Sequence, residues 1–182
     1  MPRSLARPLQ AALSARKFVR LTRRFEQGQI RGYVLAIERS HFLLALVDDR
    51  VRFAGFECLR IKDLESIEED PYAAFAEAAL KKRGLRRPRM PHLDMSSIRS
   101  VVESAGAAFP LVVIHREEND PDVCHIGQVV AVSRTQLALL EIGPDAKWDA
   151  DATAYALREI TRVSFGGDYE NALFLVGGPS RW

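Results

Sequence analysis

The sequence predicts a mainly β protein with short helices, built as two tandem copies of one small unit: a helix followed by five short antiparallel strands. Three observations carry this. The stretch GYVLAIERSHFLLALVDD from Gly32 returns almost position for position as GQVVAVSRTQLALLEIGPD from Gly127. An apolar stripe at helical spacing stands upstream of each copy. The apolar runs are short and rich in β-branched residues, as strands are.

In chain order, Leu5, Leu9 and Ala12 match Ile98, Val102 and Ala105, spaced i, i+4, i+7. Ser4 and Ser97 are candidate N-caps. Pro8 predicts that the first helix starts near it or kinks there. FVRL at 18–21 and LVVI at 111–114 read as the first strand of each unit. A polar turn follows, then two longer strands at about 29–38 and 41–48, or 123–133 and 136–142. Their connections, Arg39-Ser40 and Arg134-Thr135, are short, which favours antiparallel pairing. A fourth strand is expected near 55–61 or 152–157, and a fifth near 65–69 or 161–165. Leu59 to Leu64 aligns with Tyr155 to Ile160, Ile67 with Val163, and Tyr72 with Tyr169.

PYAAFAEAALKKR at 71–83 reads as a helix with proline in its first turn, cations at its end and Gly84 as its stop. The equivalent YENALFLVGG reads either as a short helix or as an extra strand. The division is thus a first unit at 1–83 with its C-terminal helix, a basic, proline-containing linker at 84–91, and a second unit at 92–182.

Composition narrows the function classes. Of 182 residues, 47% are hydrophobic and 27% charged, an ordinary globular balance. The apolar runs are too short to span a bilayer as a helix, so no membrane partner is expected. The two cysteines, Cys58 and Cys124, cannot build a disulfide framework, so a reduced, cytoplasmic setting is expected. The first 25 residues hold Arg and Ser and no acid, as a transit peptide does, but the repeat claims them as a structural helix. The net charge of +2 conceals a basic half, +8 over residues 1–90, and an acidic half, −6 over 91–182. The basic half suits phosphate, and equally an acidic surface of this chain or a neighbour.

One helix followed by five bent strands is a small open-barrel order, and the residues resemble the Sm-like family, which includes the Hfq type. Its pattern over the second and third strands is matched by Gly32 to Ala45, and its last-turn signature by Leu59 to Ile67. SH3-like barrels share the bulge glycine. The resemblance implies two tandem open barrels and a nucleotide pocket between the two turns. Glu38 stands where the family has Asp, and Arg60 matches its Arg. Phe42 replaces the base-reading Asn, and Ile61 replaces the Gly. In the second unit Ser133, Leu137, Ala156 and Leu157 match none of these places. The resemblance also implies self-association, with fourth and fifth strands joined head to tail. A homo-oligomer is expected, most simply a trimer of six barrels, and a monomer with paired barrels is the rival.

The candidate RNA-binding residues are therefore Glu38, His41, Arg60 and Lys62, with the linker cations Lys81, Lys82, Arg83, Arg86, Arg87 and Arg89. KKRGLRRPR puts six cations in nine positions, but no aromatic residue is interleaved to stack on bases. Cys124, His125 and His115 come nearest to a metal-ligand set. Adjacent strand residues face opposite sides, so neither metal nor cofactor is expected. No glycine-rich phosphate loop, G-x-S-x-G elbow or H-E-x-x-H motif occurs. Asp48-Asp49 and Glu68-Glu69-Asp70 fall at strand ends, where turn solvation accounts for them. Trp148 and Trp182 fall in a loop and a tail. The expectation is a non-enzymatic binding module, RNA-binding through the first unit and linker. The alternative is a protein-interaction scaffold that has lost the pocket.

Overall fold

The computed structural model describes residues 3–181, so Trp182 lies outside the described residues. The chain divides into two compact units, Met1–Met90 and Pro91–Trp182. The protein is mainly β with four short helices among the described residues.

The first unit runs α1 (Arg3–Ser14), β1 (Phe18–Arg23), β2 (Ile30–Ile37), β3 (His41–Val47), β4 (Phe53–Arg60), one 3-10 turn (Ile61–Asp63), β5 (Leu64–Glu69) and α2 (Ala73–Lys82). Its strands lie in the order β5-β1-β2-β3-β4, and neighbours are antiparallel. The second unit runs α3 (Ile98–Ala108), β6 (Val112–His115), β7 (Cys124–Val132), β8 (Gln136–Glu141), β9 (Thr153–Ala156), a 3-10 turn (Leu157–Glu159), β10 (Arg162–Phe165) and α4 (Asp168–Gly177). Its order, β10-β6-β7-β8-β9, is the same order shifted by five strands.

The first sheet is covered on both faces, which is why β3 is buried from His41 through Ala45. Strand alternation sends Val19, Leu21, Val34, Phe42 and Leu44 to one side, where Leu9 and Ala12 of α1 meet them. Phe18, Tyr33 and Val47 face the other way, under Ala76 and Leu80 of α2. In the second unit Val101, Val102 and Ala105 of α3 are buried. Leu173 of α4 packs with Leu111 and Ile142. The 169–178 segment is therefore helix, the first of its two alternatives.

Ser97 caps α3, its side chain accepting from Ser100 N–H at 3.1 Å. Residue 4 lies inside α1, which begins at Arg3 and runs through Pro8, rather than at the position before the helix. Pro8 is the sixth residue of α1, where proline removes the bond to the carbonyl of residue 4, and the helix nevertheless continues through it.

The repeat extends to backbone irregularities. In the β2–β3 ladder the register slips between Val34 and Ala36; in the β7–β8 ladder it slips between Val129 and Ala131. Leu35 and Val130, at equivalent positions, are the extra residues, and such a bulge bends its strand. Just before each bulge is the repeated glycine. A Cβ on Gly32 would overlap the Ala45 carbonyl oxygen, and one on Gly127 the Leu140 carbonyl oxygen. Both strands cross their neighbour too closely for any side chain.

Gly32→Ala and Gly127→Ala should each lower the stability of the chain by about 3 kcal/mol, the upper range for overpacking. Gly28→Ala, with nothing within 4 Å of its Cβ, should be neutral. Urea unfolding of the three variants checks this.

Candidate functional site

The candidate site of the first unit forms where β3 begins and β4 ends. The ladder sets His41 opposite Arg60. Ile61 N–H donates to Ser40 O at 2.9 Å, tying the β2–β3 turn to the 3-10 turn. These two turns frame a cleft of about 230 Å³ lined by Arg39, Ser40, His41, Arg60, Ile61 and Lys62. Strand pairing thus brings His41, Arg60 and Lys62 together, although some twenty residues separate them along the chain.

Arg60 is only 7% exposed. Its Nε donates to Asp63 Oδ2 at 2.5 Å, and Arg24 Nε stands 2.9 Å from Asp63 Oδ1. Asp63 is 1% exposed, so its carboxylate is held between two guanidinium groups. Arg60 is accordingly a fixed wall of the cleft, whereas Arg39 and Lys62 are exposed at its mouth. His41 is buried, with Nδ1 2.8 Å from Ser40 Oγ. Burial lowers its pKa below 6.5, the Arg60 charge lowers it further, and Asp63 opposes them. Glu38 is exposed outside the cleft lining; its backbone N–H closes the turn on His41 O at 2.8 Å. Phe42 and Ile61 both lie in the core, so neither is available to a base.

The second unit keeps the frame and changes the lining. Ser133 N–H donates to Gln136 O at 2.8 Å and Leu157 N–H to Thr135 O at 2.9 Å, equivalent to the two bonds of the first unit. Gln136 and Ala156 replace His41 and Arg60. Arg134 and Arg158 retain the flanking cations Arg39 and Lys62. Arg39 was missed in the sequence, although an arginine precedes the third strand in both copies.

The basic run is not uniform. Arg83 donates to the carbonyls of Arg50 and Val51, the latter at 2.9 Å. Arg87 donates to Val34 O at 3.0 Å. Lys81, Lys82, Arg86 and Arg89 are exposed.

A second polar cluster was not foreseen. In the second unit His125 Nδ1 lies 3.0 Å from Glu141 Oε2 and 2.8 Å from the Tyr155 hydroxyl, which donates to Glu141 Oε1. The His125 and Tyr155 rings are 4.5 Å apart, and the Arg116 guanidinium lies 5.0 Å from the Tyr155 ring centroid. Both donors are satisfied if His125 is neutral with its proton on Nδ1, leaving Nε2 buried without a partner. Burial, then Glu141, pushes the Tyr155 phenol pKa up. By ladder register the three positions correspond to Ile30, Leu46 and Leu59 of the first unit. The readable signal was three apolar places in one copy turned polar together in the other.

Cys124 is exposed and Cys58 buried, its thiol pushed up to about 12 by burial. Among the described residues no group of His, Cys, Asp and Glu is arranged to hold a metal, and no helix is long and apolar enough to cross a membrane. No protein-family model, curated protein or solved structure matches the chain.

Two predictions follow from this geometry. A histidine with a depressed folded pKa stays neutral while the unfolded chain takes up a proton, so stability falls as pH drops below 6.5. His41→Gln should flatten that slope in urea midpoints measured between about pH 7.5 and about 5.5. Glu141→Leu alone removes the acceptor shared by His125 and Tyr155 and should cost about 1–3 kcal/mol. The triple change H125I/E141L/Y155L, restoring the apolar set of the first unit, should be neutral or stabilising by thermal unfolding.

Proposed function

We propose that this chain is a non-enzymatic, Sm-like binding module of two small open barrels, which binds single-stranded RNA at the cleft of its first unit. The observation that carries this is the lining of that cleft: Arg39, Arg60 and Lys62 with His41, and no carboxylate among the lining residues. Asp63 lies behind Arg60 and holds it in place. Arg39 and Lys62 flank the opening where a phosphate backbone would pass, and Arg134 and Arg158 stand at the same places in the second unit. Lys81, Lys82 and Arg86 extend the basic surface of the first unit.

The binding is of phosphate rather than base. Phe42 has turned the family's amide position into core, so no side chain there reads a Watson–Crick edge. Affinity should be modest, tolerant of sequence and steeply dependent on salt. Fluorescence anisotropy of a labelled single-stranded RNA across a salt series tests this. Arg39→Ala/Lys62→Ala should weaken binding and reduce the slope of log K against log salt by about 1.4, two single-strand phosphate contacts. Absence of binding at low salt would overturn the RNA reading in favour of a protein-interaction scaffold. The scaffold reading has its own support in Tyr72 and Phe75, aromatic residues 68% and 66% exposed beside α2 and on it.

A further inference from the structure

Two helices of the first unit end in the same way but with different residues. At the end of α2, Gly84 N–H bonds to Lys81 O at 3.0 Å and Leu85 N–H to Leu80 O at 3.0 Å, and Gly84 has φ 71°. This is the Schellman close, whose left-handed position favours glycine. At the end of α1, Arg16 N–H bonds to Leu13 O at 3.2 Å and Lys17 N–H to Ala12 O at 3.0 Å. Here the left-handed position is Arg16, at φ 53°. A residue with a Cβ costs about 1–2 kcal/mol in that conformation. Strain of this kind is a pointer to function when the side chain it places has work nearby.

Arg16 lines a cleft of about 660 Å³, within the usual size of a small-molecule site. The linker contributes the opposite wall. Arg87 is anchored there by Nη2 on Val34 O at 3.0 Å, by Nη1 on Arg16 O at 3.4 Å, and by the Tyr33 ring 4.9 Å from its guanidinium carbon. Arg89 completes a set of three cations, and Leu13, Leu35 and Met90 supply apolar surface. Leu35 is the bulged residue of β2, and a bulge re-aims its side chain. No carboxylate lines the cleft. Among the described residues the guanidinium groups of Arg16 and Arg89 make no hydrogen bond or ion pair. Burial lowers the pKa of Arg87 and the Arg16 charge lowers it further, with Tyr33 opposing them, so Arg16 and Arg87 are close enough to repel. An anion between them relieves that repulsion.

We propose that this cleft binds a small organic phosphate, with its phosphate group on Arg16, Arg87 and Arg89 and its carbon skeleton against Leu13, Leu35 and Met90. The site is separate from the cleft of Arg39 and Lys62 and does not depend on the chain binding RNA. Arginine suits the task because its planar fork takes two phosphate oxygens at once.

Calorimetry and thermal shift on the full chain test it, with inorganic phosphate, adenosine monophosphate and an RNA oligonucleotide lacking terminal phosphates as probes. Adenosine monophosphate should bind at about 1 mM or below, and more tightly than inorganic phosphate. Arg16→Gly relieves the backbone strain, so it should melt no lower than the parent chain while losing at least about tenfold in affinity. Arg89→Ala, an exposed change that leaves the helix end intact, should lose affinity similarly. Arg39→Ala/Lys62→Ala should leave adenosine monophosphate binding unchanged. Failure of both phosphates to bind in low salt, or unaltered affinity in Arg16→Gly and Arg89→Ala, would overturn the proposal. So would binding of the oligonucleotide without terminal phosphates through Arg16 but not of the nucleotide, which would make the cleft a polyanion surface.

Discussion

Each unit depends on a carboxylate that closes its 3-10 turn. In the first unit Asp63 ends the turn and meets Arg60, from the end of β4, and Arg24, just past β1. The backbone adds Arg24 N–H on Asp63 O at 3.1 Å. One buried carboxylate thus joins the end of β1, the end of β4 and the start of β5. In the second unit Glu159 holds the same position and meets Arg116, which follows β6. Asp63, unlike the part-exposed Glu159, is fully buried, which is unfavourable for a lone carboxylate and is offset here by the two guanidinium groups on it. That same pairing makes Arg60 a wall rather than a mobile cation, and so shapes the cleft between the turns.

The two copies preserve what the backbone needs and vary what the side chains can exchange. Gly32 and Gly127, with the bulges that follow them, set how each long strand bends against its neighbour. The interior tolerates more change. Ile30, Leu46 and Leu59 pack as apolar neighbours in one unit, whereas His125, Glu141 and Tyr155 bond to one another in the other. Such an exchange is stable only when all three members change together, because a lone polar group in that place would be unpaired.

Charge is sorted by the fold into two uses. Arg83 spends its donors on the carbonyls of Arg50 and Val51, and Arg87 donates to Val34 O while still lining the cleft of Arg16 and Arg89. Arg16, Arg39 and Arg89 keep theirs directed toward solvent or clefts. The count of cations in a run therefore says little about how many can meet a phosphate.

By itself the sequence determined the duplication, the strand order along the chain, the antiparallel pairing of the long strands and the repeated glycine. All of these are written in local spacing: period two for strands, i, i+4, i+7 for the leading helices, and short polar connections. It also marked the frame of the candidate site, since His41, Arg60 and Lys62 flank turns that can be read from the pattern. Only the tertiary structure decided which cations are structural. Whether Arg60 faces solvent or Asp63, or Arg83 a phosphate or the Val51 carbonyl, depends on groups distant in the chain and on burial. The His125–Glu141–Tyr155 cluster was illegible for the same reason: three strands supply one residue each, and only the register places them within hydrogen-bonding distance. The strained Arg16 was hidden because a helix end shows its left-handed residue in the sequence only when that residue is glycine, as at Gly84.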